Sequence, residues 1–483
     1  MPSEKAPKLV GITVKKSEDM SEWYNQVVLK SELADYAPIH GFMVIRPHGM
    51  MLWEQLQANF DSRIKKLGVQ NAYFPLLIPE SFFKKEQEHA EGFAPEVAWI
   101  AQDENSKSEE RLAIRPTSET MMYDMYSKWI RSHRDLPLRI NQWCNVVRWE
   151  IKATKLFLRT REFLWQEGHC VYATHEEERE DTLRFLTEYQ KLAHELLAIP
   201  VIAGRKTKAE RFAGADDTFT IEGFMPDGKA LQMGTSHDLG QNFSRAFGIK
   251  FSGEDEKDHL AWQNSWGIST RMVGAVIMAH GDDKGLVIPP RLARNKVVIV
   301  PIIFEASREQ VMKAAHALEG SLKEFGALVD ARDNYSAGWK FNEWEMKGIP
   351  LRIELGPRDV GNNQCVLVRR DTGQKKIVSL HEISKVVEEE LEAMHHALFS
   401  KQEKWIKESL VTVNTMKEFE SALAQRKLIR ALFCGQVECE KALKEKTTAT
   451  SRCIPLDEKP HKGGTCVHCG KPAEWFTLFS KAY

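Results

Sequence analysis

The chain lacks any apolar stretch long enough to cross a membrane. Its longest run, Val297 to Phe304, is interrupted by Pro301 and falls far short of the ~18–20 residues a span requires. The first residues, MPSEKAPKLVGITVKK, offer no apolar core for a secretion signal. Net charge is almost absent as well: 67 Lys+Arg against 68 Asp+Glu leave −1. No global attraction for nucleic acid follows, so any polyanion must be met by local basic patches. A modest local excess lies from Lys401 onward, with 15 Lys+Arg against 10 Asp+Glu. Cysteine is too sparse for a secreted disulfide framework, with eight in 483 residues, five of them between Cys434 and Cys469. A reducing cytoplasm is the expected setting.

What is present is ordinary for a globular protein, 42% hydrophobic and 28% charged. The length exceeds one core and implies roughly 3 domains at ~150 residues each. A composition change follows Pro289-Pro290, and a helical stretch from about His381 to Glu408 leads into the last segment. The expected divisions are 1–290, 291–400 and 401–483.

Within the first division, helices are expected near Trp23–Leu33, over Leu52–Ile64 with apolar residues four apart, and from about His175 to Ala198. NAYFPLLIP reads as a strand with Pro75 and Pro79 as breaks, and residues 84–110 read as charged loop. LRINQWCNVVRWE and EFLWQEGHCVYAT read as an antiparallel hairpin around a basic loop. Gly234-Thr235-Ser236-His237 reads as a turn, and residues 266–286 as strand, turn and helix. Strands with helices between them give α+β with an antiparallel sheet. The second division alternates strand and helix, which gives α/β with a mostly buried sheet.

Four groups of residues carry chemistry. Cys434 and Cys439, with Cys466 and Cys469 in C-x-x-C, match a four-thiolate zinc site that is structural because no coordination position stays open. Arg148-x-Glu150 and Arg159-Thr160-Arg161 set rigid cationic forks beside carboxylates and aromatic rings, a combination suited to phosphate and carboxylate oxygens. An exposed ion-pair network stays open from those residues alone. Thr117-Ser118-Glu119 reads first as a helix cap. Gly234 to Asp238, and Trp266-Gly267 through Arg271, each have a bland turn reading.

The order of these segments resembles motifs 1, 2 and 3 of class II aminoacyl-tRNA synthetases. RPTSE, FLRTREFLWQEGH, GTSH, QNSWG and ELGPRD, with the C-terminal cysteines, resemble prolyl-tRNA synthetases of the archaeal and eukaryotic type, over about residues 15 to 483. The resemblance implies a class II catalytic domain over 1–290, an anticodon-binding domain over 291–400 and a small zinc-binding α+β domain over 401–483. It implies ligation of L-proline to tRNA(Pro) through a prolyl-adenylate, with ATP and Mg²⁺. Arg148 and Arg271 would be catalytic. Thr117, Glu119, Arg148, Trp165, Glu167, His169, His237 and Phe93 would bind proline. Arg148, Glu150, Arg159, Thr160, Phe163, Gln232, Thr235 and Arg271 would bind ATP. Glu345, Arg352 and Lys375 would meet the anticodon, and Tyr483 would tuck toward the active site. The basic loop Lys152–Lys155 is left for the acceptor end of the tRNA.

A homodimer around Pro75 is the default for motif 1 relatives. The short path from His169 to Trp266 leaves no room for the editing insertion of bacterial-type relatives. The alternative is a non-catalytic paralogue that binds tRNA.

Overall fold

The computed structural model describes residues 11–87, 96–101 and 110–483, side chains of 85–87 excepted. Its spine is one sheet of eleven strands. From one edge the order is Leu410–Val413, Leu428–Phe433, Trp475–Ala482, Thr450–Pro455, Ile202–Arg205, Asp217–Phe224, Lys229–Gly240, Trp262–Ser269, Glu162–Tyr172, Leu138–Val147 and Gln70–Asn71. The expected hairpin is the antiparallel pair Leu138–Val147 with Glu162–Tyr172, in register from Leu138 opposite Val171 to Val147 opposite Glu162.

Period-2 alternation gives this sheet two different faces. Trp266 and Ile268 point to one face and join a core to which the helices Met20–Lys30, Pro47–Lys66, His175–Lys191 and Arg271–His280 contribute. There Phe185 stacks on Trp266 with centroids 4.0 Å apart, and Phe60 stacks on Tyr189 at 5.0 Å. Each such buried aromatic contributes about 1.5–3 kcal/mol by removal from water. The Met20 helix is started by Asp19, whose carboxylate accepts from the amides of Ser21 and Glu22. Thr174 caps the His175 helix in the same way, ahead of Glu176, Glu177 and Glu178. The opposite face of the sheet carries the polar residues of the site.

Three local expectations are corrected. Gly234–His237 is no turn: it lies inside the twelve-residue strand Lys229–Gly240, where the register shifts between Gln232 and Gly234. A bulge there re-aims the strand, and the glycine was misread as a turn signal. NAYFPLLIP is not one strand but two short pieces, Gln70–Asn71 and Leu77–Pro79, because Pro75 interrupts the ladder. The charged segment from residue 84 is helical at its start, as part of Glu80–Gln87.

The second division is a five-stranded sheet in the order Leu328–Val329, Val297–Pro301, Leu351–Leu355, Gln364–Arg369 and Lys375–Ser379, parallel across the first three and antiparallel beyond. The helix Ile383–Ser409 leads from it to the C-terminal strands. Those strands do not fold apart from the catalytic sheet. Ile454 pairs with Arg205 and Lys481 with Lys229, so the last segment extends that sheet and returns the chain end to its centre. No described helix is long and apolar enough to cross a membrane.

Candidate active site

Two cavities open on the polar face of the sheet. The larger, about 550 Å³, is lined by Thr117, Glu119, Arg148, Glu150, Trp165, Glu167, His169, Gln232, Thr235 and His237, among others. The smaller, about 270 Å³, is lined by Arg148, Glu150, Arg159, Thr160, Phe163, Arg271 and Tyr483, among others. Arg148 and Glu150 belong to both.

Strand register explains the gathering. His169 faces Ser265, which faces His237, which faces Thr218. One step along, Gln142, Glu167, Gly267 and Thr235 form the parallel row. Five strands thus contribute to one floor, and Gly267 leaves that floor open at its middle.

At the deep end, the Thr117 hydroxyl donates to Glu119. Ser118 starts the helix Glu119–Trp129 without a side-chain cap. Its amide instead donates to Glu167 Oε2 at 3.2 Å, and its hydroxyl accepts from Gln142 at 3.0 Å. The cap reading of Thr117-Ser118-Glu119 therefore fails, because these groups serve buried carboxylates. Glu167 also accepts from Gln142 at 3.0 Å and meets His169 Nε2 at 3.2 Å, while Tyr123 meets His169 Nδ1 at 3.0 Å. Burial opposes charge on both members of this pair. Their mutual hydrogen bond wins, aided by Glu119 on the histidine side. Glu167 is held below the usual carboxylate range and His169 is raised. The carboxylates of Glu119 and Glu167 line this end of the pocket, acceptors that suit an ammonium. His237 stays neutral, pushed down to about 3 by burial and then by His169; its Nδ1 meets Thr218 at 3.0 Å.

At the junction, the Arg148 guanidinium lies 5.5 Å from the Phe163 ring and 5.4 Å from that of Trp165. Arg271 is pushed down to about 10 by burial and then by Arg148, with Glu222 acting the other way. It donates to the carbonyls of Leu158 and Gln232, both at 3.2 Å. These cations stand close together in a partly enclosed site, so a polyanion relieves their mutual repulsion.

The expected proline set lines the larger cavity except Phe93, which lies outside the described residues. Of the expected ATP set, six line the smaller cavity, while Gln232 and Thr235 line the larger. Several lining residues escaped sequence reasoning: Lys206, Phe212, Thr218 and Ser265. Alternation within the Asp217 and Trp262 strands could have found Thr218 and Ser265. Phe212, whose ring sits 4.6 Å from His237, lies outside any strand and gave no signal. On the same face as Thr218, farther along that strand, Glu222 is buried between Lys206 and Arg452, each 2.8 Å away.

Far from the cavities, Glu345 and Arg352 line one recess of the second sheet. Glu345 accepts from Lys284 at 2.9 Å, and Arg352 and Lys375 converge on Glu354 at 2.8 and 2.9 Å. The four cysteine sulfurs Cys434, Cys439, Cys466 and Cys469 lie within 4.8 Å of one another. Cys439 is 3.8 Å from Cys466, and Cys434 is 3.6 Å from Cys469. Thiolates ~2.3 Å from a tetrahedral zinc are separated by about 3.8 Å. The donor set therefore fits zinc in spacing and in chemistry. Glu119, Glu167 and His169 also converge within 4.8 Å. There both imidazole nitrogens are already engaged, by Tyr123 and Glu167.

Sequence comparison agrees with this layout. The chain matches the tRNA synthetase class II core domain (G, H, P, S and T) over residues 99–280, an anticodon binding domain over 296–390 and the prolyl-tRNA synthetase C-terminal domain over 416–483. It is 49% identical to proline–tRNA ligase 2 of Clostridioides difficile over 474 residues, which is 97% of each chain. It is 47% identical over 482 residues to proline–tRNA ligase of Agathobacter rectalis, covering 99% of this chain and 100% of that one. It is 48% identical over 477 residues to that of Chlorobium chlorochromatii, covering 97% and 98%. With nearly half the residues identical across almost the full length of each relative, the chain belongs to the proline–tRNA ligase family of class II aminoacyl-tRNA synthetases.

Proposed function

We propose that the chain joins L-proline to tRNA(Pro) by way of prolyl-adenylate, and that the two cavities divide the first step between them. The observation that carries this division is Arg148, which lines both cavities. The larger takes proline and the smaller takes ATP, so the proline carboxylate and the α-phosphate meet at one guanidinium. The carboxylate is already a nucleophile and needs no general base. It attacks the α-phosphorus, the bond to the pyrophosphate oxygen breaks, and pyrophosphate leaves with both electrons. Rate comes from holding the reactants in line and from fixed cations where negative charge gathers.

Glu119 and Thr117 receive the protonated secondary amine. Trp165, Glu167, His169 and His237 wall the ring. Arg159 and Arg271 hold the phosphate tail, Phe163 faces the base, Glu150 and Thr160 meet the adenine end, and Gln232 and Thr235 hold the ribose region. Mg²⁺ arrives on the phosphate oxygens and neutralises their charge. Zinc on the four cysteines fixes the C-terminal domain. Glu345, Arg352 and Lys375 face the anticodon, with Glu354 orienting the two cations. The expected divisions at 290 and 400 separate these tasks.

Tyr73 and Leu76, exposed beside the Leu77–Pro79 strand, support a homodimer. Arg115 ties that segment to the site: it donates to the carbonyl of Phe74 at 2.8 Å and precedes Pro116 and Thr117 of the larger cavity. Eight free cysteines suit a cytoplasmic setting. A non-catalytic paralogue has no need of this set of cations and carboxylates, and every described member of it is in place.

Glu119→Gln tests the pocket assignment. Losing a charge-assisted hydrogen bond of about 1.5–3 kcal/mol raises the proline KM in ATP–pyrophosphate exchange about 10- to 100-fold, while the KM for ATP changes little. An unchanged proline KM contradicts the assignment.

A further inference from the structure

Where the catalytic sheet meets the C-terminal strands there is another cavity, of about 350 Å³, that adenylation does not use. Arg205, Lys208 and Arg211 line it with Trp475. Among the described residues none of these three cations is in an ion pair, and the Arg205 guanidinium lies 5.8 Å from the Trp475 ring. Of the two carboxylates in its wall, Asp217 already faces Arg179 at 3.5 Å and Glu474 is the other, so three cations outside any ion pair meet one such carboxylate. The recess therefore carries net positive charge beside an aromatic face. Lys206 lines both this recess and the larger reaction cavity, and the neighbours Glu210 and Arg211 divide between the two. One wall separates them.

We propose that this recess takes the single-stranded 3′ end of the tRNA on its way to the adenylate. The inference rests on the tRNA ligase reading. Arginine and lysine side chains outside any ion pair contact phosphates, Arg211 here also donating to the Asp216 carbonyl, while an indole and a guanidinium plane stack unpaired bases. A recess, unlike a flat basic face, suits unpaired nucleotides better than a duplex. The 3′ strand is also the one part of a tRNA that must reach the adenylate. In the basic loop after Glu150, Lys155 is drawn inward, 4.8 Å from the Tyr24 ring and hydrogen-bonded to Ser21 at 3.2 Å, while Lys152 stays exposed.

The test uses the full chain with two variants, Arg205→Ala/Lys208→Ala/Arg211→Ala and the exposed pair Lys208→Glu/Arg211→Glu. Each is measured for proline-dependent exchange and for binding of tRNA(Pro), intact or lacking its 3′ single strand. Exchange stays within about two-fold. Binding of intact tRNA weakens about 10-fold or more, and the preference for intact over trimmed RNA shown by the parent chain disappears. Equal weakening toward both RNAs, or unchanged binding of intact tRNA, overturns the proposal. So does loss of exchange in both variants, which would join the recess to the catalytic cavity. Failure of the parent chain to exchange with proline would defeat the ligase reading itself, whatever the variants do.

Discussion

Arg148→Ala is expected to lower proline-dependent ATP–pyrophosphate exchange by about 10³-fold or more, with the protein still folded. Removing a single fixed donor at a developing charge lowers a rate by about 10²–10³. Arg148 serves two reacting groups at once, because it lines the wall common to both cavities. Its side chain also lies against Phe163 and Trp165, so its loss loosens the aromatic wall. Stability should fall little, since Arg148 is only half-buried and its guanidinium's one hydrogen bond among the described residues is long, 3.4 Å to the Pro116 carbonyl. Exchange by the variant at the parent rate would contradict the placement of the reaction at this junction.

The other large effect is expected from Cys466→Ser combined with Cys469→Ser. A structural zinc contributes an apparent ~10–16 kcal/mol to a small domain, so two lost thiolates should empty the site and unfold the C-terminal segment. Metal analysis should fall from about one zinc per chain to none. Exchange should fall too, for two structural reasons. Arg452 leaves Glu222, a buried carboxylate at the edge of the reaction floor that it meets at 2.8 Å. Tyr483 leaves the smaller cavity, whose wall it forms. Full activity in a zinc-free double variant would remove both the metal and this link between C-terminal domain and catalysis.

Much of this was legible in the sequence because local chemistry and periodicity agreed. The two strand-like segments flanking the short basic loop between Arg148 and Arg159 form the expected antiparallel hairpin, and the cysteine pairs bring four sulfurs together. The misreadings differ in cause. Gly234 reads as a turn signal, yet it sits at a bulge inside a long strand, whereas Pro75, read as a break within one strand, divides that segment into separate short pieces. The roles of Ser118 and Gln142 depended on Glu167, which reaches them across a strand and a helix, and no local pattern encodes that meeting. The joining of the C-terminal strands to the catalytic sheet was invisible for the same reason, because Ile454–Arg205 pairing spans most of the chain.

The pocket holding Glu119, Glu167 and His169 is expected to select proline and present its carboxylate to ATP. ATP–pyrophosphate exchange with each of the twenty amino acids in turn tests it most directly. Proline should support exchange far above all others, with alanine the foremost weak competitor, because a few missing methylenes are worth only about 1–3 kcal/mol. Exchange with a different amino acid in preference to proline, or with none, would contradict it.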